Sequence, residues 1–319
     1  MQTRLLNHMT NTSVFRKPFW APGARLQVQS VLFNNTPAAI ERAAAGLARA
    51  TELAITTGAC ASVTLRYGDS SLCACLSEGA LAALRQRYTG LMPIEYDHFG
   101  SNLGSARGHN QLASKAEADF ILLQHPDVVV SPRLIETMLG CFRDAGPGMV
   151  EAKQVPVEHP KDYDSISGET SWATTVCAMT PVILFRELEG FDSDSFFLYC
   201  DDVDYSWLVR LAGYKVIFQP AAVCFHDKRL SADGAWQPSF AERYFAAEAA
   251  LILAHKWSRP DKVSEFLDHF DQYGDDYMRR AAMIFRERKA TGRLPIERDP
   301  DHNVGMFEGR LFAKHRFAL

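Results

Sequence analysis

The chain has 319 residues, 47% apolar and 23% charged. That is the make-up of an ordinary globular protein and excludes disordered, collagen-like and low-complexity classes. Lys+Arg 34 against Asp+Glu 38 gives a formal charge of -4, which offers no reason to expect nucleic-acid binding. At about 100–200 residues per domain this is one large domain, or one domain with an annex, and no apolar run approaches the ~18 residues of a membrane helix.

The first 25 residues carry Arg4, Arg16, Lys17 and Arg25, no acidic residue, and no continuous apolar stretch of the kind a secretory signal needs. They read as a surface arm or an added strand, with a basic targeting peptide as the alternative. Leu26–Phe33 is the first strand. Thr36 then offers a helix N-cap and Pro37 suits the first helical position, opening an alanine-rich helix to about Ile55. Ala61–Arg66 reads as a second strand, followed by a turn at Tyr67-Gly68-Asp69-Ser70-Ser71. Ser77 caps a helix over Glu78–Tyr88, and a short strand near Pro93–Tyr96 leads into the glycine-punctuated Phe99–Gly108. A helix over Ser105–Ala116 feeds Phe120–Leu123, an apolar run without alternation, as expected of a strand buried on both faces. It ends at His125-Pro126-Asp127, and a helix starts at Ser131-Pro132 and runs to about Phe142.

Strand–helix alternation over this stretch predicts a mostly parallel sheet covered by helices, with ligands beyond the carboxyl ends of the strands. By that rule Asn34, Asp69 and Asp127 face one crevice. After Met149 the pattern changes. Val155–Thr170 reads as a loop, Ala173–Met179 as a strand, and Pro181–Leu188 as a short helix. An acidic turn at Asp201-Asp202-Val203-Asp204 opens a helix to about Ala212. Lys215–Phe218 and Ala222–Phe225 read as two short strands, the second ending at His226, and from Phe240 onward the pattern is helical. From Arg279 to Arg316, ten Lys/Arg face five Asp/Glu. The seven cysteines are odd in number and sit mostly in apolar stretches, which reads as small buried hydrophobes in a reducing, cytosolic compartment. The Cys73/Cys75 pair has no second pair at zinc-site spacing.

Three features carry potential chemistry. Asp127 follows a buried strand, where a carboxylate needs a cation or a donor. Asp201 and Asp202 open a helix, and His226 ends a strand. Singly, each has a structural explanation: a turn carboxylate, an acidic helix start, a packed histidine. In order, they match a pattern. Gly100-Ser101-Asn102-Leu103-Gly104-Ser105-Ala106-Arg107-Gly108-His109-Asn110 is one segment of it. Ile121-Leu122-Leu123-Gln124-His125-Pro126-Asp127-Val128 is the second. The third is Gly190-Phe191-Asp192, Phe197 through Asp204, Arg210, Gly213-Tyr214 and His226. From about Leu26 to Ser231 the sequence resembles the family-2 glycosyltransferases, particularly their rhamnosyltransferase-like branch.

The resemblance implies an α/β fold of the GT-A type: Rossmann-like, with a mostly parallel sheet flanked by helices. Here it would have an N-terminal arm at residues 1–25, a transferase domain at 26–235 and a C-terminal helical annex at 236–319. It implies transfer of a sugar, with inversion, from a nucleotide-sugar donor to a hydroxyl of a glycan or lipid-linked acceptor. Surface polysaccharide synthesis is the implied setting, at a cytoplasmic, membrane-associated location, with the basic tail touching an anionic membrane. Asp127 matches the metal-binding aspartate of the family's D-x-D motif, with His226 as a further ligand to Mg²⁺ or Mn²⁺. Asp202 matches the catalytic base. Asn34, Tyr67, Asp69, Asn102, Gly104 and Asp201 match donor- or acceptor-binding positions. The sequence departs from the family in having His125 where the first D-x-D acid stands, and in a nucleotide-binding turn without its first Asp. Asp69, or stacking by Tyr67, is expected to take that place. A non-catalytic nucleotide- or carbohydrate-binding module on the same fold is the alternative. A dinucleotide-binding oxidoreductase fails on glycine spacing.

Overall fold

The computed structural model describes residues 17–226 and 239–316. Most of the expected N-terminal arm, and the expected boundary at residue 235, lie outside them.

In the first half β1 (Arg25–Leu32) leads to α1 (Pro37–Thr56), β2 (Ser62–Asp69) to α2 (Glu78–Arg87), and β3 (Ile94–His98) to α3 (Gly104–Ser114). Both expected caps form: Thr36 Oγ1 accepts from Ala39 N–H and Ser77 Oγ from Ala80 N–H. β4 (Phe120–Gln124) is buried throughout. Phe120 and Leu122 enter one core while Ile121 and Leu123 enter another. The unbroken apolar run Phe120–Leu123 is what two buried faces demand. Then follow β5 (Val128–Val130), α4 (Leu134–Cys141), β6 (Pro147–Val155), β7 (Cys177–Pro181), α5 (Val182–Glu187), α6 (Asp201–Leu211) and β8 (Lys215–His226). The C-terminal helices are α7 (Phe240–Lys256), α8 (Pro260–Tyr273) and α9 (Asp276–Ala290).

Four expectations need correction. Tyr67, Gly68 and Asp69 are not a turn: they end β2, paired on both sides with β1 and β3. β5 and β6 are strands that sequence reading left out. The two strands expected over 215–225 are one, β8, with a register shift at Gln219–Val223 where Pro220 interrupts the ladder to β6. Helix does not continue to the C-terminus, because after Ala290 the chain meets Gly292, Pro295 and Pro300 and runs without helix to Arg316.

The strands form one sheet in the order β3-β2-β1-β4-β7-β6-β8-β5. β3, β2, β1 and β4 run parallel. β7 is antiparallel to both β4 and β6, and β6 is parallel to β8. The reversal at β7 therefore restores direction, so β4, β6 and β8 all deliver their carboxyl ends to the same edge as β1, β2 and β3. One face packs under α1 and α4, around Leu47, Leu65, Leu122 and Met138. The other packs under α3, α5 and α6, around Ile121, Met149, Phe185 and Tyr205. A third core joins α6 to α7, α8 and α9, with Trp207 and Trp257 edge to face at 5.2 Å and both fully buried. Burial of each such side chain contributes about 1.5–3 kcal/mol, which fixes the annex to the sheet domain through α6.

Lys256, at the end of α7, pins that junction. Its ammonium, 4% exposed, donates to Asp192 Oδ2 at 2.7 Å and Asp204 Oδ2 at 2.8 Å. Trp257 Nε1–H donates to Asp204 Oδ1 at 2.9 Å. Asp192 of Gly-Phe-Asp and Asp204 of the acidic turn are thus structural anchors. No helix among the described residues is long and apolar enough to cross a membrane.

Candidate active site

The strand ends gather three potential metal ligands. His125 and Asp127 follow β4, and β5, starting one residue later, pairs Val128 with His226. That register brings Asp127 beside His226, whose Nε2 lies 3.5 Å from Asp127 Oδ2. The His125 and His226 rings meet edge to face at 5.7 Å. One ligand atom from each of His125, Asp127 and His226 lies within 4.8 Å of the other two. Atoms on opposite sides of a small divalent ion stand about 4.2 Å apart, so movements of a few tenths of an ångström gather all three.

The outer support fits the same role. Gln154 Oε1 accepts from His226 Nδ1–H at 2.9 Å, which fixes the ring with Nε2 turned toward Asp127. Burial alone raises Asp127, but the His226 hydrogen bond and the two neighbouring imidazoles hold its carboxyl below the ordinary value. His125 is the residue that sequence reading treated as a departure. In space it joins Asp127 and His226 as a third potential ligand.

The acidic turn is built from a second set of contacts. Tyr199 and Cys200 both have left-handed backbone, with φ 66° and 56°, and neither is a residue type that favours it. Each such residue costs on the order of 1–3 kcal/mol, and such strain concentrates where a turn must present side chains. Gly104 (φ 72°) admits this turn, because a Cβ there would lie 2.3 Å from the Phe197 carbonyl oxygen. Ser105 N–H donates to that carbonyl at 3.1 Å. Gly104 therefore approaches protein backbone. Asn110 ties the same helix to Gly-Phe-Asp, donating to the Phe191 carbonyl at 2.7 Å and accepting from its N–H at 2.9 Å.

Asp201 is buried, and its Oδ2 has no hydrogen-bond partner. Burial, and then the charge of Asp202, push its carboxyl up to about 7. Asp202 keeps some exposure and accepts from Val203 N–H at 2.8 Å. Burial raises its carboxyl as well, opposed by that N–H, by Lys161 and by the Thr174 side chain. Burial thus raises both carboxyls, with the Asp201 Oδ2 left without a partner and Asp202 facing groups that oppose the rise.

The positions expected to meet a donor divide. Asn34 is exposed at the end of β1, its N–H donating to Ser71 Oγ at 2.8 Å. Asn102 is exposed too, its Oδ1 accepting from Gly104 N–H at 3.1 Å. Asp69 is wholly buried beneath the 70–76 loop and accepts from Ser71 N–H, Cys75 N–H and the Tyr96 hydroxyl. Against the raising effect of burial, those donors hold its carboxyl low. It shapes the loop and turns no free oxygen to the crevice. Tyr67, 2% exposed, belongs to the main core, so the expected stacking on a ligand has no open ring face. Part of the basic tail is paired: Arg286 with Asp271, Arg288 with Glu248, Arg293 with Glu287 and Arg316 with Glu158. Of the cysteines, Cys60, Cys177, Cys200 and Cys224 are buried and Cys73 is exposed.

A parallel-to-mixed sheet that brings a His–Asp–His group and a paired-carboxylate turn to its loops defines a class of fold, and solved structures identify it. The chain is similar to a mannosyltransferase from Pyrobaculum calidifontis, in complex with GDP-Man and Mn²⁺. The likeness has 16% identity over 90% of this chain and 81% of that one, with a TM-score of 0.54. GalNAc-T7, with UDP, GalNAc and Mn²⁺, matches at 13% identity over 86% of this chain and 59% of that one, TM-score 0.56. TarS of S. aureus matches at 12% over 78% and 44%, TM-score 0.52. The fold is thus the GT-A fold. No protein-family model matches the chain, and neither does any curated protein.

Proposed function

We propose that this protein is a metal-dependent, inverting glycosyltransferase. It moves a sugar from a nucleotide-sugar to a hydroxyl of a glycan or lipid-linked acceptor, in surface polysaccharide synthesis as in the rhamnosyltransferase-like branch. The observation that carries the reading is the His125–Asp127–His226 group at the strand ends of a GT-A fold. These three side chains would hold Mn²⁺ or Mg²⁺, whose chemistry there is to neutralise the charge developing on the leaving diphosphate. Asn34 and Asn102 border the donor crevice, and Asp201 contributes to the acceptor side. Asp202 takes the acceptor's proton as the sugar is displaced, help typically worth ~10²–10⁴ in rate. The transferase unit spans residues 26–235, with 236–319 as its annex and 1–25 as an arm. It works in the cytoplasm, its basic tail meeting an anionic membrane.

The second reading is a nucleotide- or carbohydrate-binding module without turnover on the same fold. A thermal-shift screen of UDP- and GDP-sugars with and without Mn²⁺, followed by nucleoside diphosphate release with and without chelator, separates the two. Metal-dependent release with an acceptor supports transfer. Ligand stabilisation without release supports the module. Release indifferent to chelator refutes the metal role.

A further inference from the structure

A buried ion pair lies beside the acidic turn. Lys161, in the segment after β6, pairs with Glu151 of β6, and their side chains are 4% and 3% exposed. The Lys161 ammonium also sits 3.9 Å from the centre of the Trp172 ring. Burying two charges costs several kcal/mol each, which their attraction offsets only in favourable geometry. Such a pair in the core is poorly explained by stability alone. Its surroundings point to Asp202. The Trp172 ring that holds Lys161 lies in one core with Cys200 and Val203, which flank Asp201 and Asp202. Next to it Ala173 N–H donates at 2.9 Å to Ser206 Oγ, whose hydroxyl donates to the Asp202 carbonyl at 2.7 Å. The ionisable groups facing Asp202 are Asp201 and Cys200 on its own turn, Glu151 from β6, and Lys161. Lys161 is the cation among them.

We infer that Lys161 is a positioning residue for the proposed transfer: held by Glu151 and the Trp172 ring, its ammonium offsets the negative charge of Asp202 and keeps that side chain a proton acceptor. The inference rests on reading Asp202 as the base. The charges dictate the signs. Removing the ammonium makes ionisation of Asp202 harder, whereas removing Glu151's charge makes it easier. Burial opposes the charge on both members of the pair, pushing Glu151 up and Lys161 down while each pulls the other back. In so dry a site a charge is poorly screened, so a shift of about one pH unit or more is expected.

The test follows the Asp202 carboxyl directly, by carbon NMR titration of the full chain labelled at aspartate, its signal identified by loss in Asp202→Asn. Lys161→Met should raise the Asp202 midpoint by about one unit, Glu151→Gln should lower it, and Lys161→Arg should leave it near the parent value. A merely structural pair would move both neutralising variants the same way or not at all, and either outcome overturns the inference. Should Lys161→Met fail to fold, the downward shift in Glu151→Gln and the unmoved midpoint in Lys161→Arg still decide it. The acid limb of kcat/KM, measured with a nucleotide-sugar that supports transfer, should follow the same signs with donor KM little changed. If the carboxyl midpoints move as stated and turnover does not follow, the base assignment fails and the role of the pair stands. If the midpoints stay fixed, the inference fails whatever turnover does.

Discussion

Lys256→Met isolates the cost of leaving a buried charge without its partner. Asp204 is 0% exposed, and the lysine gives it a 2.8 Å charged hydrogen bond while giving Asp192 another at 2.7 Å. Methionine fills the space of the aliphatic stem, so packing among Phe196, Trp207 and Trp257 is nearly conserved and the lost interaction is electrostatic. In the variant Asp204 retains only Trp257 Nε1–H and its neighbouring backbone. Breaking a buried pair from one side typically costs about 3–5 kcal/mol, against ~1 kcal/mol or less for an exposed one. Urea unfolding followed by tryptophan fluorescence reads the difference, because Trp207 and Trp257 lie in the core concerned. The Asp204→Asn/Lys256→Met double variant leaves one fewer charge buried, so it should regain well over half of the loss. A loss below ~1 kcal/mol, or strictly additive single effects, would refute the reasoning.

Four further outcomes follow. Mn²⁺ affinity, measured by calorimetry, should fall by at least about 10-fold in His125→Ala, Asp127→Ala and His226→Ala, whereas His125→Asp should shift preference toward Mg²⁺, since imidazole favours transition ions and carboxylate favours harder ones. Gln154→Leu, which frees the His226 ring, should weaken the same affinity by about 10–100-fold with the fold intact by circular dichroism. Asp202→Asn should lower turnover by about 10²-fold or more with little change in donor affinity, and equal loss in Asp201→Asn alone would reverse the assignment. Asp201 has its folded pKa raised from 3.8 to about 7, so its contribution to stability is fully kept below pH 4 and is lost as pH rises toward 7. Asp201→Asn should therefore match the parent near pH 4 and exceed it in melting temperature at pH 8, and a parent advantage at pH 8 would contradict the sign.

Legibility in the sequence followed the reach of the interactions. The early strands and helices were readable because caps such as Thr36 and Ser77 act locally and because β4 is apolar from Phe120 through Leu123. β6 was not, since Glu151, Lys153 and Gln154 break its apolar run. Their reasons are distant: Lys161 for Glu151 and His226 for Gln154. Gly68-Asp69-Ser70 has turn composition, yet pairing with both neighbours extends β2 through Asp69. Asp127 and His226 were singled out by motif. His125 stood where the pattern called for an acid, and its place beside them came only with the fold.

The C-terminal run that lost its helix is not idle chain. Asp162 N–H donates to the Lys314 carbonyl, Arg316 N–H to the Pro160 carbonyl, and the Ser171 hydroxyl to the Phe312 carbonyl. Residues 312–316 thus act as the missing neighbour of the segment that carries Lys161, which has little regular structure of its own. The two stretches are one unit of local opening: neither can lift away from the sheet without releasing the other's amides.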